Sequence, residues 1–124
     1  MGSEIRVLVG TRDFAGATRF YGDVLGFPVQ EHWDAPDGRG TLFGCSRGGV
    51  IEIVEDSPHR PAEAPQGVTI AIEADDVDAL YERVTGAGVE VIDPIGDRPW
   101  AHRNFEIRGP SGLPLIFFAQ LKSA

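Results

Sequence analysis

The 124-residue sequence predicts an α+β fold: two βαβββ modules forming paired, curved mixed sheets around a cleft, with the helices on the outside. Three observations predict it. First, the chain nearly repeats itself, because a shift of about 62 places superposes Asp13 on Asp75, Ala17 on Ala79, Gly26 on Gly88 and Val29 on Val91. Second, each repeat runs from an apolar strand into an Asp-started helix that breaks at a glycine, in Leu25-Gly26-Phe27-Pro28-Val29 and again in Ala87-Gly88-Val89-Glu90-Val91. Third, each repeat ends in three short strand-like segments divided by turn residues. Two similar sheets related by pseudo-symmetry leave a cleft between them, and function is to be sought there.

The elements follow in order. Segment 4–10, EIRVLVG, reads as a strand. Asp13 is an N-cap, and Ala17, Phe20, Tyr21, Val24 and Leu25 make one apolar face at helical spacing. Gly26 ends this helix and a strand over 27–33 follows. Residues 35–40, APDGRG, are turn chemistry joining a hairpin. Thr41–Cys45 and Val50–Val54 then pair around Arg47-Gly48-Gly49. Residues 55–66 carry three prolines and no periodicity, so one domain over 1–124 is expected as repeat halves 1–56 and 67–124 with linker 57–66. The second half reads as a strand over 68–74, then a helix capped by Asp75 or Asp76 with Val77, Leu80, Tyr81 and Val84 inward. Gly86 and Gly88 close that helix. Val89–Ile92 is a strand, 93–99 a loop, and His102–Arg108 with Leu115–Ala119 the last hairpin, turned by Gly109-Pro110-Ser111-Gly112.

Bulk properties narrow the function. The net charge of −8 argues against nucleic acid, which needs clustered Lys and Arg. No apolar run approaches the roughly 18 residues of a membrane span. The start, Met1 to Ile5, is neither basic nor long enough for a signal peptide. A single cysteine, Cys45, excludes an internal disulfide framework and fits a cytoplasmic protein. Acidity favours solubility and can attract a cationic ligand.

Several phrases resemble the vicinal oxygen chelate superfamily of glyoxalases, bleomycin-resistance proteins and extradiol dioxygenases. They are Asp13 through Phe20-Tyr21 to Leu25-Gly26-Phe27, Asp75-Asp76-Val77-Asp78-Ala79-Leu80-Tyr81 to Ala87-Gly88-Val89, then Pro99-Trp100, Arg103, Phe105 and the Gly109–Gly112 turn. The resemblance covers essentially the whole chain. It implies the fold above, but the activity less narrowly, since the group contains lyases, epimerases, dioxygenases, thiol transferases and drug binders.

Metalloenzymes of this group hold a divalent ion with His and Glu on the first and last strands of each half. Carried over by the resemblance, those positions are Arg6, Glu52, Thr69 and Ile116. Only Glu52 keeps a ligand. Arginine repels a cation and Ile116 has no lone pair, so neither a metal nor another cofactor is expected. The histidines, His32, His59 and His102, show no ligand spacing. An Arg6–Glu52 ion pair in place of the metal is expected instead, with solvation of both residues in an open groove as the alternative.

Strand alternation then lines the cleft with Arg6, Leu8, Val50, Glu52, Val54, Thr69, Ala71, Ile116 and Phe118. By analogy with the family, Trp100, His102, Asn104 and Glu106 share that face, and Trp33, Thr41, Phe43 and Cys45 add a further wall. Trp33 and Trp100 are stacking candidates, with core filling the alternative for Trp33. Cys45 reads as a wall residue rather than a nucleophile, because no His or Asp motif accompanies it. Phe43 and Phe118 fit packing equally well.

The reading ranked first is a non-catalytic protein of the resistance branch. It sequesters an aromatic or cationic drug or natural product in grooves of a homodimer. The alternative is a metal-independent isomerase, cyclase or lyase using Glu52, Glu106 and His102 as acid or base. A glyoxalase-type metalloenzyme ranks third.

Overall fold

The computed structural model describes residues 2–122. The chain divides between Ala64 and Pro65 into two compact units. Unit one contains β1 (Ile5–Thr11), α1 (Phe14–Arg19), β2 (Val29–Ala35), β3 (Gly38–Ser46) and β4 (Gly49–Glu55). Unit two contains β5 (Ile70–Glu73), α2 (Val77–Gly86), β6 (Val91–Arg98), β7 (His102–Arg108) and β8 (Pro114–Gln120). Each holds one four-stranded mixed sheet, in the order β1-β4-β3-β2 and β5-β8-β7-β6. In both, the first strand pairs parallel with the last and the others form antiparallel hairpins. The internal repeat of the sequence is thus a repeat of topology.

Both helices start as their sequences require. Asp13 Oδ1 accepts a hydrogen bond from the Gly16 amide at 3.0 Å, and Asp76, not Asp75, accepts one from the Ala79 amide at 3.0 Å. Each cap satisfies an amide that has no partner within its helix. The first helix departs from expectation in its second half. Phe20–Val24 is a π-helical turn, with the Leu25 amide donating to the Phe20 carbonyl five residues back. Gly26 then takes φ 77°, which only glycine adopts at little cost.

The core of unit one is Phe14, Ala17, Tyr21 and Leu25 on the helical side with Val9, Phe43, Ile51 and Ile53 on the sheet, all buried. Tyr21 tilts against Phe43 with ring centroids 5.8 Å apart. In unit two Val77 and Val84 of α2, with Phe105, Ile107, Leu115 and Phe117, are buried. Leu80 and Tyr81 are only half-buried. Each such burial contributes about 1.5–3 kcal/mol, which is why period-2 alternation in β4, β7 and β8 fixes their register.

Three segments differ from expectation. Of the expected loop 93–99, residues 93–98 belong to β6, where register shifts between Val91 and Asp93 and between Asp93 and Gly96 absorb Pro94 and Gly96. An edge strand tolerates Pro94 because the missing N–H need not serve a ladder. The hairpin over 35–40 is tighter than expected, since β2 and β3 run up to a Pro36-Asp37 turn. The proline-rich segment is ordered at its start: Asp56 Oδ1 accepts from the Ala62 amide at 2.6 Å, and Ser57 bridges to Arg60. Among the described residues no helix is long and apolar enough to cross a membrane.

Candidate functional site

In unit one, the register of the sheet sorts side chains onto two faces. Val9, Thr41, Phe43, Ile51 and Ile53 face α1. Their registered neighbours by one residue, Leu8, Gly40, Leu42, Glu52 and Val54, face the other way. Arg6 lies on this open face with Leu8, and Trp33 joins it because it pairs with Gly40.

The expected Arg6–Glu52 pair is present: Arg6 Nη1 donates to Glu52 Oε1 at 3.2 Å. It is not an isolated pair. Arg6 Nε donates to Glu4 Oε2 at 2.5 Å, and the Glu4 bond is the larger cause holding the guanidinium above its usual range, with Glu52 second. The Arg6 side chain is 44% exposed and that of Glu52 only 13%. Arg6 is therefore a solvated arm reaching over a mostly buried carboxylate.

A second ion pair lies at the hairpin end of the sheet, with the helix-side parity of Thr41 and Ile53, and the Arg39 guanidinium sits 4.7 Å from the Phe14 ring centroid. Glu55 accepts from the Arg39 amide at 2.8 Å and from Arg39 Nη2 at 3.1 Å, which holds its carboxyl below the usual carboxylate range. Between these pairs lies a groove of about 570 Å³. Leu8, Trp33 and Val54 form its apolar lining, with Glu52 on one side and Asp37, Arg39, Glu55 and Arg60 around it. Three expected ligand residues, Leu8, Trp33 and Glu52, are brought together here. Asp37, Arg39, Glu55 and Arg60 were not foreseen. Counting back from the Arg47-Gly48 turn sets Arg39 opposite Asp56, and only the register shift between Gly44 and Ser46 brings it to Glu55, so simple alternation does not signal this pair. Arg60 arrives through the fold of the proline-rich segment, which no periodicity announces.

The expected second wall divides. Trp33 lies on the open face, but Thr41 and Phe43 lie on the helix face. Phe43 is buried against Tyr21 and lines a different hollow, of about 470 Å³, with Phe14, Thr18, His32 and Thr41. His32 Nδ1 lies 2.9 Å from Thr41 Oγ1. Cys45 follows the parity of Phe43 and is near enough to Tyr21 to influence its hydroxyl. Burial pushes the Cys45 thiol above its usual range. The physical reason is the β2–β3 register: the two-residue turn sets Trp33 opposite Gly40, and Gly40 and Phe43, three residues apart on β3, point to opposite faces.

In unit two, His102, Asn104 and Glu106 on β7 share a face with Ile116 and Phe118 on β8 and Ala71 on β5. Phe105 and Ile107 point toward α2 as expected. The His102 ring stacks on Phe118, with centroids 4.5 Å apart and planes at 8°. Asn104 is a structural partner: its Oδ1 accepts from Arg98 Nε at 2.7 Å, and Arg98 also reaches the Pro94 carbonyl at 2.6 Å and Asp93 at 3.3 Å. Trp100 sits in the β6–β7 turn, 62% exposed, beside Ala101 at φ 63°. Thr69 precedes β5 and is exposed. On the other face Arg103 is gripped by Asp78 at 2.8 Å and Asp97 at 3.0 Å, tying α2 to the sheet.

The residues do not fit the divalent metal that the fold family implies. Glu52 is the one ligand type among the four carried-over positions, and a guanidinium already occupies it. Among the described residues no three His, Cys, Asp or Glu side chains converge as an ion requires.

Residues 5–117 match the model of the Glyoxalase/Bleomycin resistance protein/Dioxygenase superfamily, and the chain belongs to that superfamily. Among solved structures it is similar to TioX from Micromonospora sp. ML1, at 23% identity over 97% of this chain and 100% of that one, with a TM-score of 0.74. TnmS3, an antibiotic binding protein from Streptomyces sp. CB03234, aligns at 23% identity over 99% and 98% of the chains, with a TM-score of 0.76. A glyoxalase I variant from Zea mays aligns at 15% identity over 96% of this chain and 45% of its own, with a TM-score of 0.79. No curated protein matches the chain. At these identities the likeness shows the fold, which serves both a binding protein and an enzyme.

Proposed function

We propose that this member of the superfamily is a non-catalytic binding protein that sequesters an aromatic or cationic small molecule, a drug or natural product, as a cytoplasmic homodimer. The observation that carries the reading is the unit-one groove. Leu8, Trp33 and Val54 give it an apolar wall, while both wall carboxylates of β4 are committed, Glu52 to Arg6 and Glu55 to Arg39. Such a site offers contact area and shape, and neither β4 glutamate is free to move a proton; His59 and Asp37 are the remaining acid–base side chains of its lining. Within unit two, the His102–Phe118 stack and exposed Trp100 are proposed as ligand contacts in their own right. The similarity to TnmS3, an antibiotic binding protein, agrees with this reading.

The test is equilibrium dialysis of the purified protein against a panel of polycyclic aromatic antibiotics, with mass spectrometry of the recovered compounds. The expected result is saturable retention of at least one compound, recovered chemically unchanged. Leu8→Glu, which places a charge on the apolar wall, weakens it. Conversion of the retained compound contradicts the proposal.

A further inference from the structure

The open face of unit one contains one position whose identity the fold does not explain by conformation. Gly40 is buried in the middle of β3, and its φ lies outside the left-handed region that calls for glycine. A glycine inside a strand weakens it, through lost packing and a larger loss of chain entropy. The reason for it is space. The six-membered ring of Trp33, its cross-strand partner, occupies the place where a β-carbon would stand. A side chain at 40 would overlap Cζ2 and Cε2, and even the third nearest ring atom, Cη2, would be 2.7 Å away. Real β-carbons do not approach a ring so closely, and the obstacle is a rigid ring rather than the end of a flexible chain.

We propose that Gly40 is a positioning residue for the ligand groove. Its bare α-carbon seats the Trp33 indole flat across β3, turning a large side chain with two free torsions into a fixed aromatic wall. The ligand class that such a wall selects is a flat aromatic ring system stacked beside the indole. Two further observations fit this. Trp33 lines the groove and is only half-buried, so the seated ring keeps surface to offer. Gly10 plays the matching part at the segment that carries Arg60, since a β-carbon there would collide with the Arg60 carbonyl. A missing side chain therefore lets each of two groove elements approach the sheet. A ring held in one orientation loses no rotamer freedom on binding, so a stacked ligand keeps the full benefit of contact. This inference rests on the proposed groove, and its test separates the two.

The protein is labelled with 5-fluorotryptophan, which gives one fluorine resonance each for Trp33 and Trp100, assigned by the loss of one in Trp33→Phe. 2-Naphthol, flat and uncharged at neutral pH, serves as the probe. In the unsubstituted protein the probe shifts the Trp33 resonance on saturable binding. Gly40→Ala moves that resonance before any probe is added and weakens probe binding by about tenfold, the loss of one well-placed aromatic pair. Stability is read in a double-mutant cycle: Gly40→Ala lowers the melting temperature when Trp33 is present and costs much less in a Trp33→Ala background. If Gly40→Ala alone fails to fold, recovery of folding in the double variant supports the seat, and failure of both overturns it. An unmoved Trp33 resonance in Gly40→Ala, or an equal penalty with and without Trp33, also overturns it. A moved resonance and a coupled cycle, with no response of Trp33 to the probe in the unsubstituted protein, leaves the seat standing and rejects the groove as a ligand site.

Discussion

Replacing Tyr21 by phenylalanine tests the packing that sets the two faces of unit one apart. Tyr21 is fully buried, and among the described residues its hydroxyl has no hydrogen-bond partner. Its ring is held from three sides, by Phe20 at 4.9 Å, Phe43 at 5.8 Å and Phe27 at 6.4 Å. A buried hydroxyl without a partner costs roughly 1–3 kcal/mol, while the ring itself is unchanged by the substitution. Tyr21→Phe should therefore stabilise the fold by about 1 kcal/mol at pH 7, raising the melting temperature by about 4 °C. The alkaline limb sharpens the prediction. Burial, and secondarily the field of Cys45, push the Tyr21 phenol well above its usual range. Above about pH 10 the unfolded chain releases this proton and the folded protein does not, so folding weakens by about 1.4 kcal/mol per pH unit. The cost of this group is constant below about pH 10 and grows as pH rises, because the raised folded-state pKa makes folding retain a proton that the unfolded chain gives up. Tyr21→Phe removes that dependence. Urea midpoints of both proteins at pH 7 and between pH 10 and 11 measure it. A loss of 1 kcal/mol or more at pH 7, or an identical alkaline slope in both proteins, refutes the reasoning.

Other predictions follow from the same geometry. Burial raises the Cys45 thiol, so at pH 7.4 it should react with iodoacetamide more slowly than free glutathione does; faster reaction would show an activated nucleophile. Arg103 holds the Asp78 carboxyl below its usual range, so the stability this pair adds is present above about pH 4 and lost as pH falls below it. Asp78→Asn should therefore lower the melting temperature at pH 7, with the difference shrinking at pH 2.5 and in 1 M salt; a difference independent of both would rule out the ion pair as its cause. Glu52→Gln should leave the melting temperature nearly unchanged, because Arg6 is exposed and keeps Glu4, yet it should weaken binding of a groove ligand; a large melting loss would mean that the Arg6–Glu52 pair is structural after all.

Much of the fold was legible because it rests on local chemistry. Asp13, Asp76, Gly26 and Gly88 punctuate the helices by capping and by positive φ, and neither depends on distant contacts. The face shared by His102, Asn104, Glu106, Ile116 and Phe118 follows from period-2 alternation through a hairpin without register shifts. The separation of Trp33 from Phe43 turns on loop length: a two-residue Pro36-Asp37 turn pairs odd positions of β2 with even positions of β3, which a turn read over 35–40 hides. Residues 93–99 looked like a loop because Pro94 and Gly96 break central strands, and only the position of β6 at the sheet edge makes them admissible. The groove owes Arg60 to the packing of an aperiodic segment on Gly10, a long-range fit that no local pattern encodes.

The proposed role is binding of a small molecule without transforming it and without the metal of the catalytic relatives. Native mass spectrometry of protein purified without chelator, with and without an aromatic ligand retained in dialysis, tests it most directly. The expected species is a dimer carrying no stoichiometric divalent ion, with each added ligand detected at its unaltered mass. A stoichiometric metal, or a bound species whose mass departs from that of the ligand supplied, would contradict it.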